Sequence, residues 1–420
     1  MLERENVNVI GHVFLLCFVA TIYMNSRPAC AKYLYLEDVV FERGIIKTRS
    51  QPKLSHWHLE RSDINFTIRH TMTSPFCRNW KEETAVFAIA WNFPQYGHTL
   101  FNFVSNVFAT ASEFNITKQQ LILYVMKTGG YKGPPSAFEV NGRFVAGQYE
   151  PILKELCKEL LSLKAVLDSP KKFCFRRLVL GLSTSIDHYS LRKKNLKLFR
   201  RFAELMKLVY GVVHVDSCVA RAIIINRNDR RILNINELAS ALSSRLHRSS
   251  MCVNVTDFSK ISIPVQISLM KTTSLLVGID GTGLINAAFL PYPCGAMIHL
   301  RTFGTSTLKP RKGSNFRALA LFGAGLYYAW ENSDFSSAVF HSQVPRKIIQ
   351  LLRRGQVSPL QDQTFTSRQK GTTILRQDTN VSISDVLILA DRARHEIIRC
   401  NASKLLVRND SPLPLHDTSA

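Results

Sequence analysis

The stretch with the clearest chemical meaning is Leu276–Leu300, LVGIDGTGLINAAFLPYPCGAMIHL, where an apolar strand runs into Asp280-Gly281-Thr282-Gly283 and straight on into a helical pattern. Glycines at such a bend let the backbone approach a ligand closely, and the first helical turn offers unpaired N–H groups and a partial positive charge. A diphosphate suits that corner, although a tight strand–helix turn without any ligand has the same spelling. A second constellation is Ile223–Leu238, IIINRNDRRILNINEL. A strand ends at Asn226, the loop carries Arg227, Arg230 and Arg231, and a helix opens with Asn234 or Asn236 as its cap. Arginines at the carboxyl end of a parallel strand lie where such sheets bind ligands, and a guanidinium fork matches two phosphate oxygens at once. The alternative is three loop arginines in solvent. His98 in Trp91–Phe103, WNFPQYGHTLFNF, follows a turn and opens a helix. It could work as a base, orient a hydroxyl, or make a purely structural hydrogen bond. No Asp-x-Asp suited to a divalent cation stands at a strand end, so no metal is expected. The arginines and the helix dipole would then take up the charge of a leaving group.

The elements around these residues alternate. Thr84–Trp91 and Leu121–Met126 have the composition of strands, and His98–Phe114 carries a helical stripe through Leu100, Phe101, Val104, Val107 and Phe108. Gly129–Pro135 reads as a loop, Pro151–Leu163 as a helix and Cys174–Leu182 as a strand. A strongly amphipathic helix follows, apolar at Leu196, Phe199, Phe202, Leu205, Met206 and Val209 and basic on its opposite face. Strands at Ala222–Asn226, Met251–Val255, Ser274–Ile279 and Ala296–Leu300 then alternate with helices at Ile235–Leu246, Ile263–Thr272 and Gly283–Leu290. That order implies an α/β fold, with parallel sheets covered by helices on both faces. The break at Ser185–Asn195 is expected to separate two lobes, 76–190 and 191–345. Residues 25–75 read as an irregular stem, and 346–420 as a polar tail with one helix at Ser384–Arg399.

Composition sets the limits. With 46% hydrophobic and 20% charged residues among 420, the chain is neither disordered nor fibrous. A net charge of +23 attracts anions, so nucleic acid, anionic membrane and phosphate-bearing small molecules are the partner classes, beside a merely solvated basic surface. Without an Arg-Gly tail, zinc-finger spacing or long basic block, nucleic acid is not expected. Val9–Met24 is apolar but shorter than the roughly 20 residues of a full span. It reads as a signal-anchor behind a short cytoplasmic tail (1–8, with the anchor at 9–24), as a signal peptide cleaved after Ala31, or as a core helix. The first two put the remainder in the lumen of the Golgi or endoplasmic reticulum, the anchor giving a single-pass type II membrane protein. The N-x-S/T tripeptides at Asn65, Asn115, Asn254, Asn380, Asn401 and Asn409 are candidate glycosylation sites that agree with this. The 9 cysteines lack any Cys-x-x-Cys pair, which argues against a zinc or dithiol site and leaves disulfide pairing open.

Five segments in order resemble the motifs of glycosyltransferase family 61. They are NFPQYGH at Asn92–His98, FCFRRLVLGLSTSIDHY at Phe173–Tyr189, NRNDRRILNINEL at Asn226–Leu238, VGIDGTGLINAAFLP at Val277–Pro291 and FRALALFGAGLYYAWEN at Phe316–Asn332. The resemblance implies two Rossmann-like lobes facing a cleft (GT-B-like), a UDP-sugar donor and a protein or glycan acceptor. It also implies inverting transfer without metal or other cofactor, of GlcNAc or of a pentose such as xylose. By position, His98 matches the family's N-terminal-lobe histidine, Arg227 and Arg230 its phosphate-facing arginines, and Gly281 and Gly283 its glycine turn. With His98, Asp280 and His299 are the catalytic candidates, and Asn234, Thr282 and Asn286 join the arginines and glycines as candidates for binding the nucleotide-sugar. Cys174 matches a cysteine that precedes the Gly-Leu strand. Three positions depart from the pattern: the family has His-Gly-Ala at 280–282, Glu at 299 and Asp at 102, against Asp280-Gly281-Thr282, His299 and Asn102 here. An aspartate beside a diphosphate opposes binding unless it is neutralised. Asp280 and His299 are therefore expected to have exchanged places across adjacent strands. The departures also admit a non-catalytic lumenal protein that keeps the fold and binds nucleotide-sugar or glycan.

Overall fold

The computed structural model describes residues 33–49, 56–58, 65–71, 77–91, 93–94, 96–128, 138–187, 191–211, 220–247, 250–304, 315–342, 344–355 and 377–409. The segment Val9–Met24, the loop Gly129–Pro135 and Cys17, Cys30 and Cys218 lie outside them. Among the described residues no helix is long and apolar enough to cross a membrane. The chain divides into two compact units, each with its own sheet.

The first unit takes in the described residues through Pro94, with Asn106–Ala146 and Leu153–Thr184. Its strands are β1 (Leu34–Glu42), β2 (Ile45–Thr48), β3 (His56–His58), β4 (Asn65–His70), β5 (Lys81–Trp91), β6 (Leu121–Thr128), β7 (Glu139–Val140), β8 (Arg143–Phe144), β9 (Glu159–Ser162) and β10 (Phe173–Leu180). They form one sheet in the order β3-β4-β2-β1-β10-β5-β6-β9-β8-β7. Only the centre, β10-β5-β6-β9, follows the expected parallel pattern throughout. On one side β1 pairs antiparallel with β10, and also with β2, to which the two-residue turn at Arg43-Gly44 can only return the chain antiparallel. Residues 34–48 and 65–70, expected to be irregular, are thus sheet. Glu37 and Asp38 interrupt the apolar run of β1, yet Leu36, Val39, Val40 and Phe41 are buried. The helix expected over Pro151–Leu163 stops at Leu156, and Glu159–Ser162 pairs with β6 instead. Strand pairing there overrides residues that favour helix. The core gathers Phe41, Phe66, Phe87, Tyr124 and Phe175, and Cys77 is bonded to Cys174.

The second unit holds Gln95–Ser105, Gly147–Ile152 and everything described from Ser185 onward. Its strands β11 (Ala220–Ile225), β12 (Met251–Thr256), β13 (Thr273–Ile279), β14 (Gly295–Arg301) and β15 (Gly325–Glu331) make a five-stranded sheet, order β12-β11-β13-β14-β15, parallel at every pairing. One face, with Ile224, Leu275, Val277 and Ile298, packs on helix Ile235–Leu246 and on Val386, Ala390, Ala393 and Ile397 of helix Ile383–Asn409. Burial of the alternate positions Ile223, Ile225, Leu276 and Met297 requires cover on the other face too. Two expectations change here. The segment after Asp280 is a 3-10 helix, Thr282–Phe289, rather than an α-helix. The C-terminal region is no loose tail: β17 (Gln377–Thr379) pairs antiparallel with β16 (Ala338–Phe340), the last helix is part of the core, and Cys400 is bonded to Cys294. Cys252 is disulfide-bonded as well. The sequon residues Asn115, Asn254, Asn380 and Asn401 are exposed, while Asn65 and Asn409 sit on β4 and the last helix.

Candidate active site

The strand order of the second sheet decides where a ligand would sit. From β11 the chain crosses outward to β12, then returns past β11 to β13. The connections leaving β11 and β13 therefore diverge, and the carboxyl ends of those two strands flank the switch point where open parallel sheets bind ligands. Asn226 and Arg227 follow β11 there, and Asp280 and Gly281 follow β13.

Arg227 lies directly over Gly281. A Cβ at 281 would stand 2.6 Å from its Cζ and closer still to Nη1, so only glycine leaves room for the guanidinium. Gly278 and Gly283 make room for something else, since Cβ atoms there would press on Ile225 at 2.9 and 3.1 Å. Arg227 donates from Nη2 and Nε to Oδ1 of Asp229 (2.6 and 3.1 Å), and Arg230 donates to Oδ2 of the same carboxylate (3.3 and 3.4 Å). Two largely buried guanidiniums thus share one exposed carboxylate. Burial, and then the charge of Arg227, pull Arg230 below its ordinary range against the opposing effect of Asp229 and Asp280. Arg230 also holds a backbone φ of 55°, a region unfavourable to any residue with a Cβ and often maintained at functional sites. Arg231 departs from the expected group. Its Nε and Nη2 donate to Oδ2 of Asp378 (2.9 and 2.7 Å) and its backbone N–H to Oδ1 (2.7 Å). Asn234 is likewise committed elsewhere, donating to the Val381 carbonyl (2.9 Å) and accepting from its N–H (3.0 Å).

Asp280 and His299 meet. Nε2 of His299, a residue with no exposed surface, lies 2.8 Å from Oδ1 of Asp280, and Nδ1 lies 3.0 Å from the Tyr327 hydroxyl. A carboxylate only accepts, so Nε2 carries a hydrogen. β14 and β15 contribute His299 and Tyr327, and Asp280 directly follows β13. Burial raises the Asp280 carboxyl, but the charge and hydrogen bond of His299, with Arg230 and Arg301, outweigh it and hold the group below the usual range. Its second oxygen, Oδ2, is buried and has no hydrogen-bond partner among the described residues. Removal of a buried acceptor from water without compensation is costly, which marks this atom as one a ligand could satisfy.

The His98 segment packs onto the same corner. Tyr96 donates its hydroxyl to Oδ1 of Asn286 (2.8 Å), and a Cβ at Gly97 would lie 3.1 Å from Cγ2 of Thr282. Asn286 has no exposed surface; its Nδ2 donates to Oε1 of Gln266 (3.0 Å) and to the Gly283 carbonyl (3.2 Å). These partners make it a pin between the 3-10 helix, helix Ile263–Thr272 and Tyr96. The helix expected over His98–Phe114 contains a π turn at Leu100–Val104, a distortion that collects at functional sites. Phe101 anchors that turn against Phe199, Phe202 and Phe289. Nδ1 of His98 lies 2.8 Å from Oδ1 of Asn102, whose amide nitrogen donates to Asp187.

This geometry bears on an independent comparison. Residues 96–297 match the model of the family Glycosyltransferase 61. No curated protein matches the chain. The match supports the family that the motifs resemble and, with it, a glycosyltransferase. It opens on Tyr96, spans His98, the arginine loop and the Asp280–Gly283 turn, and ends in β14 just before His299. Within the Glycosyltransferase 61 segment, sequence reasoning passed over Asp187 and Asp229. Asp187 lies in a quoted motif but is 85 residues from Asn102, and nothing in local spacing joins them. Tyr327 and Asp378 lie beyond the segment and were equally unmarked.

Proposed function

We propose that the chain transfers a sugar from a UDP-sugar to a hydroxyl of a protein-linked or glycan acceptor in the lumen of the secretory pathway, with inversion and without a metal. The observation that carries this reading is the arginine pair at the switch point, Arg227 lodged over Gly281 and Arg230 beside it, inside the family-matched segment. Guanidiniums so placed suit a diphosphate, and they would take up its charge as the sugar departs. The turn adds less than the sequence implied, because a 3-10 segment has poorer hydrogen-bond alignment than an α-helix. His98 is the candidate base. As the acceptor oxygen attacks the anomeric carbon, the imidazole takes the hydroxyl proton. The bond from that carbon to the diphosphate oxygen breaks, and its electron pair leaves with UDP. The motifs resemble those of the protein O-linked-mannose β-1,4-N-acetylglucosaminyltransferases, so UDP-GlcNAc is the first donor to test and UDP-xylose the second. The disulfides Cys77–Cys174 and Cys294–Cys400 support an oxidising compartment. A type II membrane anchor at Val9–Met24 belongs to the same proposal.

A second reading, a lumenal protein that binds UDP-sugar without turnover, is favoured by one observation, the Asp280 carboxylate at the phosphate corner. The two separate when purified protein is offered a panel of UDP-sugars with glycan and peptide acceptors. UDP release that depends on the acceptor, and is lost in Arg227→Ala, supports the transferase. Thermal stabilisation by UDP without any release supports the binder, and equal release by parent and Arg227→Ala removes the arginine from its assigned role.

A further inference from the structure

His98, Asn102 and Asp187 form a directed chain whose hydrogens can be placed by chemistry alone. Asp187 is buried, with 4% of its surface exposed, and its carboxylate can only accept. The Asn102 group facing it must therefore be the amide nitrogen, so the amide oxygen faces His98. An amide oxygen accepts too, and Nδ1 of His98 is left as the donor across their 2.8 Å contact. Asn102, 8% exposed, is in effect a one-way coupler. It passes the requirement of the carboxylate for a hydrogen on to the imidazole.

We propose that Asp187 is a positioning residue that fixes His98, through Asn102, as the Nδ1–H tautomer and so presents Nε2 as the accepting nitrogen of the ring. This rests on the reading of His98 as the base, to which it adds the nitrogen that acts and the group that selects it. The elements are suited to the task. His98 and Asn102 are four residues apart and in contact, with Asn102 inside the π turn that Phe101 anchors. Asp187 closes the segment described after β10, at a buried position beside the buried Ile186.

The test is a tautomer measurement on the full chain. With selective 15N-histidine labelling, and His98 assigned by its absence in His98→Gln, the parent is expected to show a protonated Nδ1 and an unprotonated Nε2. In Asp187→Asn the partner amide can donate as well as accept, Asn102 loses its fixed sense, and His98 should become a mixture of tautomers. Turnover should fall about 10- to 100-fold in kcat with KM for the UDP-sugar unchanged. The double variant Asn102→Asp/Asp187→Asn moves the carboxylate one link closer, so Nδ1–H again has an obligatory acceptor and both the tautomer and turnover should return. A parent ring protonated only at Nε2, or the same tautomer in parent and Asp187→Asn, overturns the proposal, and the first needs no substitution of Asp187. A tautomer that shifts while kcat stays constant upholds Asp187 as the positioning residue and dismisses His98 as the base.

Discussion

Position 281 has an extended backbone, φ 162°, which any residue accepts, so the chain needs glycine there only for the space that Arg227 fills. Gly281→Ala should consequently fold normally and still weaken UDP binding, by about the 10- to 100-fold expected for losing one arginine–phosphate contact in Arg227→Ala. Calorimetric titration of both variants with UDP checks this; full affinity in Gly281→Ala would mean that the guanidinium does not work from its present seat. Asp280 makes a prediction in pH. Its folded value lies below the usual one, because the charge of His299 and the hydrogen bond from it outweigh burial. A carboxyl lowered on folding contributes stability above its unfolded value and loses it as pH falls through the folded one. Asp280→Asn should cost about 3–5 kcal/mol near neutral pH, since it disrupts a buried pair, and the difference from the parent should shrink below about pH 4. Urea unfolding of both proteins between pH 3 and 7 measures it, and a gap that stays constant argues against an ionised pair.

The arginine loop is shaped by a strand far away in the sequence. Asp378, 3% exposed by its side chain, accepts from the backbone and guanidinium of Arg231 and from His341 at 3.0 Å, while Val381 clasps Asn234. Asp378→Ala should therefore weaken UDP binding without touching the ligand, by less than Arg227→Ala, and a titration showing no change would make the loop self-supporting. The legibility of the sequence follows from this kind of distance. Strands β11, β13 and β14 could be read because interior parallel strands are continuous apolar runs, and helices Ile235–Leu246 and Ile263–Thr272 because their stripes are local. The pairing of Asp280 with His299 was foreseeable from two departures on neighbouring strands. By contrast β1, β2 and β4 carry charged interruptions, β9 has a helical spelling, and Asp187 and Asp378 act over 85 and 147 residues, where spacing says nothing.

At the scale of the whole molecule, the crosslinks Cys77–Cys174 and Cys294–Cys400 span long loops of 97 and 106 residues. Replacing Cys294 and Cys400 together by serine should cost about 2–4 kcal/mol, read as a lower Tm at unchanged UDP affinity just below the transition. The charge of +23 acts at the same scale. It should accelerate UDP association, and stopped-flow rates should fall as salt screens the field, whereas rates indifferent to salt would confine the attraction to the arginine pair. The clasp of 377–381 on 231–234 also orders events in time. During synthesis the loop emerges first and its anchor 147 residues later, so the contacts of Asp378 with Arg231 cannot form until that later segment has been made. A chain stopped before Gln377 would carry every residue of the Glycosyltransferase 61 match and still lack the partners of Arg231 and Asn234 in the arginine loop.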